Sequence, residues 1–234
     1  MSRVAVVLLM LLALALPSPA GATSAPTGGE VRLGGVTVDL QPGTTQVVTV
    51  NHTSGYHAVV AMWAWVGDRW VRRMRTADGR IGYGGLVRGA VRVQGTGTTP
   101  LGTYSLISSF GTHARRPAWH LPYRRIRPGD FWVEDNASPY YNRYRNQSRG
   151  GFRWRLPVTS PNGSERLADY PTQYEFSIVT SFNVDQVRHR GAGIFLHVNG
   201  DGATAGCVSA PRWFIVSLMA RLRPGRLPEI AIGR

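Results

Sequence analysis

A histidine and a cysteine ten positions apart are the residues of this sequence best suited to covalent chemistry. His197 lies near the end of the apolar run Gly193–Val198, and Cys207, the single cysteine of the 234 residues, follows Gly206. The segment between them is rich in Gly, Asn, Asp, Ala and Thr, which favours a tight turn back. Because thiolate is the nucleophilic form of cysteine and an imidazole promotes its formation, the pair indicates cysteine catalysis. A buried, inert cysteine beside a hydrogen-bonded core histidine is the alternative that these residues leave open.

The residues around Cys207 offer two further aids to such chemistry. The sequence predicts a helix over Pro211–Leu222, with Ser209 as its N-cap. A helix N-terminus just after the cysteine lowers the pKa of a thiol. Gly206 allows a substrate to approach the backbone closely, and the N–H groups of Gly206 and Cys207 are candidates for an oxyanion hole.

The rest of the chain predicts a mainly β domain that holds these residues in place. Short apolar runs alternate with turn residues, as in sheet proteins. The predicted strands are Val36–Leu40, Thr45–Val50, His57–Val66, Arg69–Met74, Val87–Val93, Gly102–Ser108, Glu175–Thr180, Gly193–Val198 and Leu227–Ile232. Residues 111–171 show little periodicity, and a segment of that length usually carries function or hidden elements.

Composition and charge restrict the function classes. The 27 basic residues are all Arg, so the chain has no lysine for Schiff-base or P-loop chemistry. One cysteine excludes an intramolecular disulfide and multi-cysteine metal sites, and the histidines match no metal-binding spacing. We therefore expect no metal and no cofactor. The formal charge of +14 suits anionic cell-wall polymers, while the absence of a recognition motif argues against nucleic acid.

The N-terminus has the pattern of an export signal. Arg3 precedes an apolar run of about thirteen residues, and Ala20-x-Ala22 matches a cleavage site. The run is shorter than the ~20 residues that span a bilayer, so no stable membrane span is expected. We predict a signal peptide over residues 1–22, a flexible leader over 23–30 and one domain over 31–234, in a protein that is secreted to the cell wall or an equivalent periplasmic space.

A second motif, considered together with the His–Cys pair, points to a family. The segment Thr99–Leu106 reads TPLGTYSL, and with His197 and Gly206-Cys207 it resembles the L,D-transpeptidase catalytic domain of bacterial cell-wall enzymes. That family carries a TP-x-G-x-[FY]-x-[IL] strand, a His at a strand end and a [ST]-x-G-C segment. The resemblance runs from about Gly79 to Gly233, and Phe131-Trp-Val-Glu-Asp135 and Ser138-Pro-Tyr-Tyr-Asn142 are similar to segments of a divergent exported branch.

The resemblance implies a fold and a role for each matched residue. It implies a single β-sandwich or barrel domain with a short C-terminal helix after the catalytic cysteine. Cys207 would be the nucleophile and His197 its general base, oriented by the backbone carbonyl of Val198. Thr204 would be a hydroxyl partner near the nucleophile, and Gly206 would shape the oxyanion hole.

Other positions either extend the resemblance or depart from it. Tyr141 and Asn142 are candidates for substrate binding in the cleft, with packing in an exposed loop as the alternative. The family commonly has His directly before Gly-Cys and often Arg or Asn two positions after the Cys. Here those places hold Ala205 and Ser209, so donor or acceptor recognition is expected to differ.

The implied reaction is acyl transfer between peptidoglycan stem peptides. Cys207 would attack the carbonyl between stem positions three and four, release D-Ala and pass the acyl group to the amine of a neighbouring stem. Resolution by water would instead make the protein an L,D-carboxypeptidase. Family members are acylated by carbapenems at this cysteine. A non-catalytic binder of the wall or of anionic polymers is a further alternative, favoured by the basic charge and by Ala205.

Overall fold

Fifteen strands and one α-helix form the part of the chain that the structure describes. A computed structural model gives residues 25–234, so the predicted signal peptide lies outside the described residues. The strands are β1 (Gly29–Leu33), β2 (Val36–Leu40), β3 (Gln46–Ser54), β4 (His57–Val66), β5 (Arg69–Arg80), β6 (Leu86–Arg88), β7 (Thr99–Gly111), β8 (Tyr123–Arg125), β9 (Asp130–Trp132), β10 (Tyr144–Asn146), β11 (Glu165–Arg166), β12 (Phe176–Thr180), β13 (Phe195–Val198), β14 (Val208–Ala210) and β15 (Glu229–Gly233). The helix α1 spans Arg212–Arg221.

The main sheet closes on itself. Its strands follow the order β12-β13-β14-β5-β4-β3-β15-β7, and β7 pairs back with β12. Closure leaves neither β7 nor β12 with an unpaired edge along the ring. The mainly β class is confirmed, and the arrangement is barrel-like. Two joins are parallel, β13 with β14 and β15 with β3, and the first of these carries the residues singled out above.

Alternating burial explains how the strands hold the core. In β2 the burial alternates residue by residue, with Val36 and Val38 fully covered, and β1 pairs with it as an antiparallel hairpin. Since inward and outward side chains alternate along a strand, this hairpin covers one flank of the ring with its apolar face. The predicted leader was too long, because Gly29 and Glu30 already belong to β1.

Each predicted strand corresponds to an observed one, and one of them is shorter than predicted. β4 has the predicted bounds, and the turn into β5 uses Gly67 and Asp68 at φ of 53° and 64°, as a two-residue hairpin requires. The predicted strand Val87–Val93 is wrong beyond Arg88. There the chain turns into a single 3₁₀ turn over Gly89–Val91, which moves the following arginine out of the sheet.

The helix begins later than the sequence predicted. Pro211 occupies the N-cap and no side chain caps the first turn. Ser209 instead lies in β14, and its hydroxyl donates to Asn199 Oδ1 at 2.7 Å. β14 and Pro211 therefore lie between Cys207 and the first helical turn, which starts one residue later than predicted. The helix packs an apolar face onto the main core.

The segment 111–171 contains hidden elements. β9 is the centre of a small antiparallel sheet with β10 and β11, and β8 pairs with β7 of the ring. Aromatic side chains join this sheet to the ring: Phe110 of β7 packs its ring against those of Trp132 and Phe195. The small sheet therefore lies beside β13. In the described residues no helix has the length and apolarity needed to cross a membrane.

Candidate active site

Two adjacent parallel strands bring the predicted histidine and cysteine together. In the β13–β14 ladder Leu196 is opposite Val208, and His197 is opposite Ser209. The loop between the strands is fixed to the end of β5, where Thr204 N–H donates to the Ile81 carbonyl at 3.0 Å. This connection is short for a parallel pair, and the abundance of small and turn residues makes it feasible.

His197 is buried and held in one orientation. Its side chain is 6% exposed, and its Nδ1 lies 2.8 Å from the carbonyl oxygen of Val198. The Tyr174 ring meets the imidazole edge-on at a centroid distance of 5.5 Å. A hydrogen bond from Nδ1–H to a carbonyl leaves Nε2 as the basic nitrogen of the ring. Burial lowers the pKa of His197 to about 4, so the neutral imidazole predominates at neutral pH.

Cys207 lies in the wall of a cleft with its sulfur bound to the backbone of the neighbouring strand. Its Sγ donates to the Gly193 carbonyl at 3.1 Å and accepts from the Phe195 N–H at 3.3 Å. The residue is 9% exposed. Burial raises the pKa of the Cys207 thiol above its ordinary value, although the Phe195 N–H and Arg92 oppose that effect. Burial therefore favours the uncharged form of both the thiol and the imidazole.

Thr204 binds the backbone of the cysteine and not its sulfur. Its hydroxyl donates to the Cys207 carbonyl at 2.6 Å and accepts from the Gly206 N–H at 3.2 Å. The hydroxyl of Thr204 thus stabilises the turn before β14. The Gly206 N–H was expected to be one of the two donors of an oxyanion hole. Because it donates to the Thr204 hydroxyl, it does not point at a substrate oxygen.

Gly206 is required by its surroundings. Its φ is +132°, a region that favours glycine, and an added Cβ would lie 2.7 Å from Arg92 Nη2 and 2.9 Å from the Thr98 carbonyl oxygen. The guanidinium of Arg92 packs directly behind the Gly206-Cys207 turn. Gly206 therefore allows a buried cation to approach the cysteine.

Arg92 is a charged residue of the same cleft that was not predicted from the sequence. It is 6% exposed, and it donates from Nε to the Thr98 carbonyl at 2.7 Å and from Nη1 to the Arg190 carbonyl at 3.1 Å. Its positive charge lowers the pKa of the Cys207 thiol, against the larger effect of burial. The signal available in the sequence was an arginine between Val91 and Val93 within an otherwise apolar alternation.

A cleft of about 790 Å³ opens onto these groups. Cys207, His197 and Arg92 line it, together with Glu134 and Glu165 from either side of the small sheet. A volume of this order accommodates a peptide of a few residues. The residues from 111–171 thus supply one wall of the cleft, as a long irregular segment with function would.

Glu134 and Glu165 both line the cleft. Glu165 lies opposite Trp132 in the β11–β9 ladder, and Glu134 follows that tryptophan by two residues, which places both carboxyls on one face. Burial raises the pKa of Glu165 to about 7, while a hydrogen bond from the Tyr174 hydroxyl opposes the rise. Burial and the neighbouring Glu165 raise the pKa of Glu134 as well. A negative charge on Glu165 therefore makes ionisation of Glu134 less favourable.

Tyr141 and Asn142 are not among the residues that line this cleft, and their substrate-binding role stays a prediction. Tyr141 is fully buried and its hydroxyl donates to Gln94 Oε1 at 2.7 Å. Asn142, at φ of 55°, accepts from Trp132 Nε1 at 2.8 Å and from the Gly193 N–H at 3.0 Å. Both residues support the cleft from behind, because Asn142 ties the small sheet to the start of β13. Polar aromatic-rich loops look alike in sequence whether they face a ligand or the protein.

The metal-binding groups of the described chain are dispersed. Within residues 25–234 no group of three or more His, Cys, Asp or Glu side chains is arranged to hold a metal ion. His113, one of the histidines considered above, instead lies 2.7 Å from Glu175 on the flank of the ring.

Comparison with known proteins finds one matching family model and similar solved structures. Residues 45–230 match the family model of the L,D-transpeptidase catalytic domain (YkuD). Among solved structures the chain is similar to a mutant of the helical cell shape determining protein Pgp2 from Campylobacter jejuni, with 11% identity and a TM-score of 0.43, covering 90% of this chain and 51% of that one. It is also similar to Bd1075 from Bdellovibrio bacteriovorus, with 15% identity and a TM-score of 0.40, covering 81% and 48%. This chain thus spans about half the length of each. No curated protein sequence matches it.

Proposed function

The chain belongs to the L,D-transpeptidase catalytic-domain family, and from that premise we propose that it is a cysteine acyltransferase acting on peptidoglycan stem peptides. The observation that supports this most directly is the cleft that Cys207 and His197 both line, with His197 on β13 and Cys207 directly before the adjacent parallel strand β14. The contact between His197 Nδ1 and the Val198 carbonyl supports the role of Nε2 as the base.

The first half of the proposed reaction forms a thioester. As Cys207 Sγ attacks the carbonyl between stem positions three and four, His197 Nε2 takes the thiol proton. Since burial favours the neutral form of both groups, proton transfer accompanies the attack and does not precede it. The tetrahedral intermediate then expels D-Ala, whose amine receives the proton from the imidazolium. The acyl group remains on sulfur and His197 is neutral again.

The second half of the proposed reaction passes the acyl group to an amine. The side-chain amine of a neighbouring stem attacks the thioester, an amide forms, and the sulfur regains a proton through His197. A thioester suits this step because it stays reactive towards amines. Water at the same thioester would give the carboxypeptidase outcome.

The direct test is covalent labelling by a carbapenem, read by intact mass. We expect one adduct on the wild type, none on Cys207→Ala, and acylation slowed by about 100-fold or more in His197→Ala, the range of a lost general base. The exposed His120 lies outside the cleft, so His120→Ala is the matched control and should react like the wild type. A wild type without an adduct contradicts the proposal. A non-catalytic wall binder would bind sacculi equally well with Cys207→Ala.

The proposed location follows from the substrate. Peptidoglycan lies outside the cytoplasmic membrane, so a family that acts on it works in an extracytoplasmic space. We propose that residues 1–22 direct export and that the mature chain begins near Thr23. N-terminal sequencing of the exported protein checks this, and a start at Met1 in the exported fraction would contradict it.

A further inference from the structure

The mouth of the cleft carries an exposed apolar rim. Of the large apolar side chains in the part of the chain that the structure describes, the three with the greatest exposure are Tyr83 at 67%, Val158 at 56% and Val93 at 55%. All three line the cleft that Cys207 and His197 also line. Single exposed apolar side chains are common, but the three most exposed ones at one cleft mark a surface that a ligand covers. We refer to these three residues as the apolar rim.

Tyr83 is fixed to the loop that leads to the nucleophile. Its N–H donates at 2.9 Å to the carbonyl of Thr204, which lies shortly before Cys207 in the chain. Its ring lies directly against Gly97, where an added Cβ would overlap the ring carbons. The hydroxyl donates to the Gly95 carbonyl at 3.4 Å. The ring therefore has a glycine backbone behind it and is exposed in a defined position.

The loop that carries Val93 is held by hydrogen bonds of its own. The Thr96 hydroxyl donates to the Val93 carbonyl at 2.7 Å. Gln94 Nε2 donates to the Pro161 carbonyl at 3.1 Å, which joins this loop to the segment that carries Val158. The apolar rim is therefore formed before a ligand arrives, and binding orders little additional chain.

The exposed face of a fixed tyrosine ring suits a pyranose sugar. One face of such a sugar carries C–H groups and is apolar, whereas its hydroxyls lie around the edge. The sugar therefore covers an aromatic ring and keeps its hydroxyls in water. The side chains of a stem peptide are small or charged, so none of them presents a flat apolar face of that size.

The substrate of the proposed function brings a sugar to this place. In peptidoglycan the first residue of the stem is attached to an amino sugar through a lactyl group. When the carbonyl of stem position three is at Cys207, three extended residues separate it from the sugar by about 10 Å. The sugar then lies at the mouth of the cleft and not beside the sulfur.

From these observations we infer that Tyr83 is a stacking surface for the amino sugar that carries the stem peptide, with Val93 and Val158 on either side of the sugar. The inference rests on the proposed function and adds to it a preference for stems that are still attached to glycan. Tyr83 is then a residue of substrate specificity, and none of its groups forms or breaks a bond in the reaction. The binding energy gained at the sugar distinguishes a stem of the wall from a free peptide.

A comparison of two acyl donors tests the inference. One is a disaccharide tetrapeptide, and the other is an N-acetylated tetrapeptide, in which an acetyl group replaces the lactyl link and the charge is the same. The release of D-Ala is measured for both. We expect the wild type to favour the sugar-bearing donor by about tenfold in kcat/KM, mainly through a lower KM, which is the range of one aromatic contact. Equal kcat/KM for the two donors overturns the inference.

Substitutions then assign the preference to the ring of Tyr83. Tyr83→Phe keeps the ring and should keep the preference, whereas Tyr83→Ala should bring the ratio of the two kcat/KM values to about one. If Tyr83→Ala does not fold, as judged by circular dichroism, Tyr83→Leu takes its place, because it covers Gly97 without an aromatic face. Trp213→Ala is the matched control, since Trp213 is an aromatic residue that is 54% exposed and is not among the residues lining the cleft. A wild-type ratio in folded Tyr83→Ala or Tyr83→Leu overturns the inference.

A second copy of the chain is the other occupant that the rim would accept, and sedimentation velocity identifies it. A dimer of the wild type that Tyr83→Ala dissociates would assign the apolar rim to self-association and overturn the inference. A monomer in both cases agrees with a rim that is free to bind sugar.

Failure of the proposed function is recognised separately. If neither donor releases D-Ala and no carbapenem adduct forms, the acyltransferase proposal is wrong. Calorimetric binding of the two donors to Cys207→Ala then tests the sugar site without catalysis. Binding that is about tenfold tighter for the sugar-bearing donor, and that loses this difference when Tyr83→Ala is added, supports the site, and equal binding overturns it.

Discussion

The protonation of the cleft is controlled at the scale of single side chains. His197 and Cys207 are both buried enough to favour their uncharged forms, while Arg92 is a fixed cation behind the cysteine. Burial therefore disfavours a preformed thiolate–imidazolium pair. Proton transfer must occur as the sulfur attacks, which makes the rate depend on His197 being neutral and on the charge of Arg92.

The first prediction concerns the pH dependence of acylation. Since burial lowers the pKa of His197 to about 4, the ring stays neutral through pH 5 and carbapenem acylation should be independent of this group there. Below about pH 4 the rate should fall as the imidazole takes a proton. Intact-mass time courses measure the midpoint, and a fall centred near pH 6.5 would contradict the burial seen here.

The same lowered pKa has a consequence for stability with a definite sign. Between about pH 6.5 and pH 4 the unfolded chain binds a proton at His197 that the native chain does not. The free energy of unfolding therefore decreases as pH falls through this window. His197→Gln should remove that part of the pH dependence in urea denaturation, with His120→Gln as a control that leaves it in place.

The third prediction isolates the charge of Arg92. Arg92→Met should raise the pKa of the Cys207 thiol and slow alkylation by iodoacetamide at a given pH by about tenfold, one pKa unit. It should also lower stability, because the Thr98 and Arg190 carbonyls lose their donor. The exposed Arg88, at the end of β6, provides the control Arg88→Met. An unchanged alkylation profile in folded Arg92→Met would show that its charge does not reach the sulfur.

At the scale of elements, the loop between β13 and β14 positions the Cys207 sulfur against the backbone of Gly193 and Phe195. Thr204 closes its end through the Cys207 carbonyl and the Gly206 N–H, and hydrogen bonds to the end of β5 hold it in place. The turn has space only for glycine at position 206, where Arg92 and the Thr98 carbonyl are in contact. A small change in this loop is therefore expected to affect the fold and the nucleophile together.

Two glycines of this loop give a matched pair for the fourth prediction. Gly206→Ala places a Cβ 2.7 Å from Arg92 Nη2 at a φ of +132° and should cost about 2–4 kcal/mol of stability and most of the activity. Gly202→Ala meets nothing within 4 Å and should be close to neutral. Thermal unfolding and carbapenem labelling measure both, and equal effects would mean that position 206 is less crowded than described.

The sequence was informative about elements with a strong local pattern. β4, with its apolar alternation, and the Gly67-Asp68 turn have the predicted bounds because local pattern and tertiary pairing agree there. The Cys207 region was harder to predict. Ser209 has the residue type of an N-cap, but pairing of β14 with β13 extended the strand over it. When a residue that favours a helix N-cap can also pair in a β-ladder, the tertiary pairing can override its local propensity.

The missing parts of the candidate site come from long-range placement. Arg92 follows a 3₁₀ turn that local periodicity read as a strand, and Glu165 lies in a two-residue strand that has no pattern of its own. Neither residue is close in sequence to Cys207. Only the closed ring and the small sheet bring them into one cleft, so a single sequence offered no spacing from which to predict them.

At the scale of the whole molecule, charge is distributed unevenly between the surface and the cleft. The chain carries a formal +14 and most of its arginines are outside the core, whereas Glu134 and Glu165 line the cleft. A positive exterior attracts anionic polymers over a distance of about a Debye length, ~10 Å at 0.1 M salt. This attraction acts on the wall as a whole and does not depend on the nucleophile.

The fifth prediction follows from that separation. Sedimentation with purified sacculi should show binding that weakens as salt rises from 50 to 500 mM, because exposed charges are screened. Cys207→Ala should bind as the wild type does, and a variant with several exposed arginines replaced by glutamine should bind less. Salt-independent binding would assign recognition to the cleft and not to the exterior.

The position of the single sulfhydryl also affects how long the protein survives in an oxidising environment. Peroxides attack the ionised sulfur far faster than the protonated one, and damage to a sulfinic acid is irreversible in most proteins. Burial among aromatic rings raises the pKa of the Cys207 thiol and favours its protonated form, an effect that the Phe195 N–H opposes only in part. The thiolate then forms only while a substrate is being attacked. The burial that keeps the sulfur protonated therefore also protects it from oxidation between turnovers.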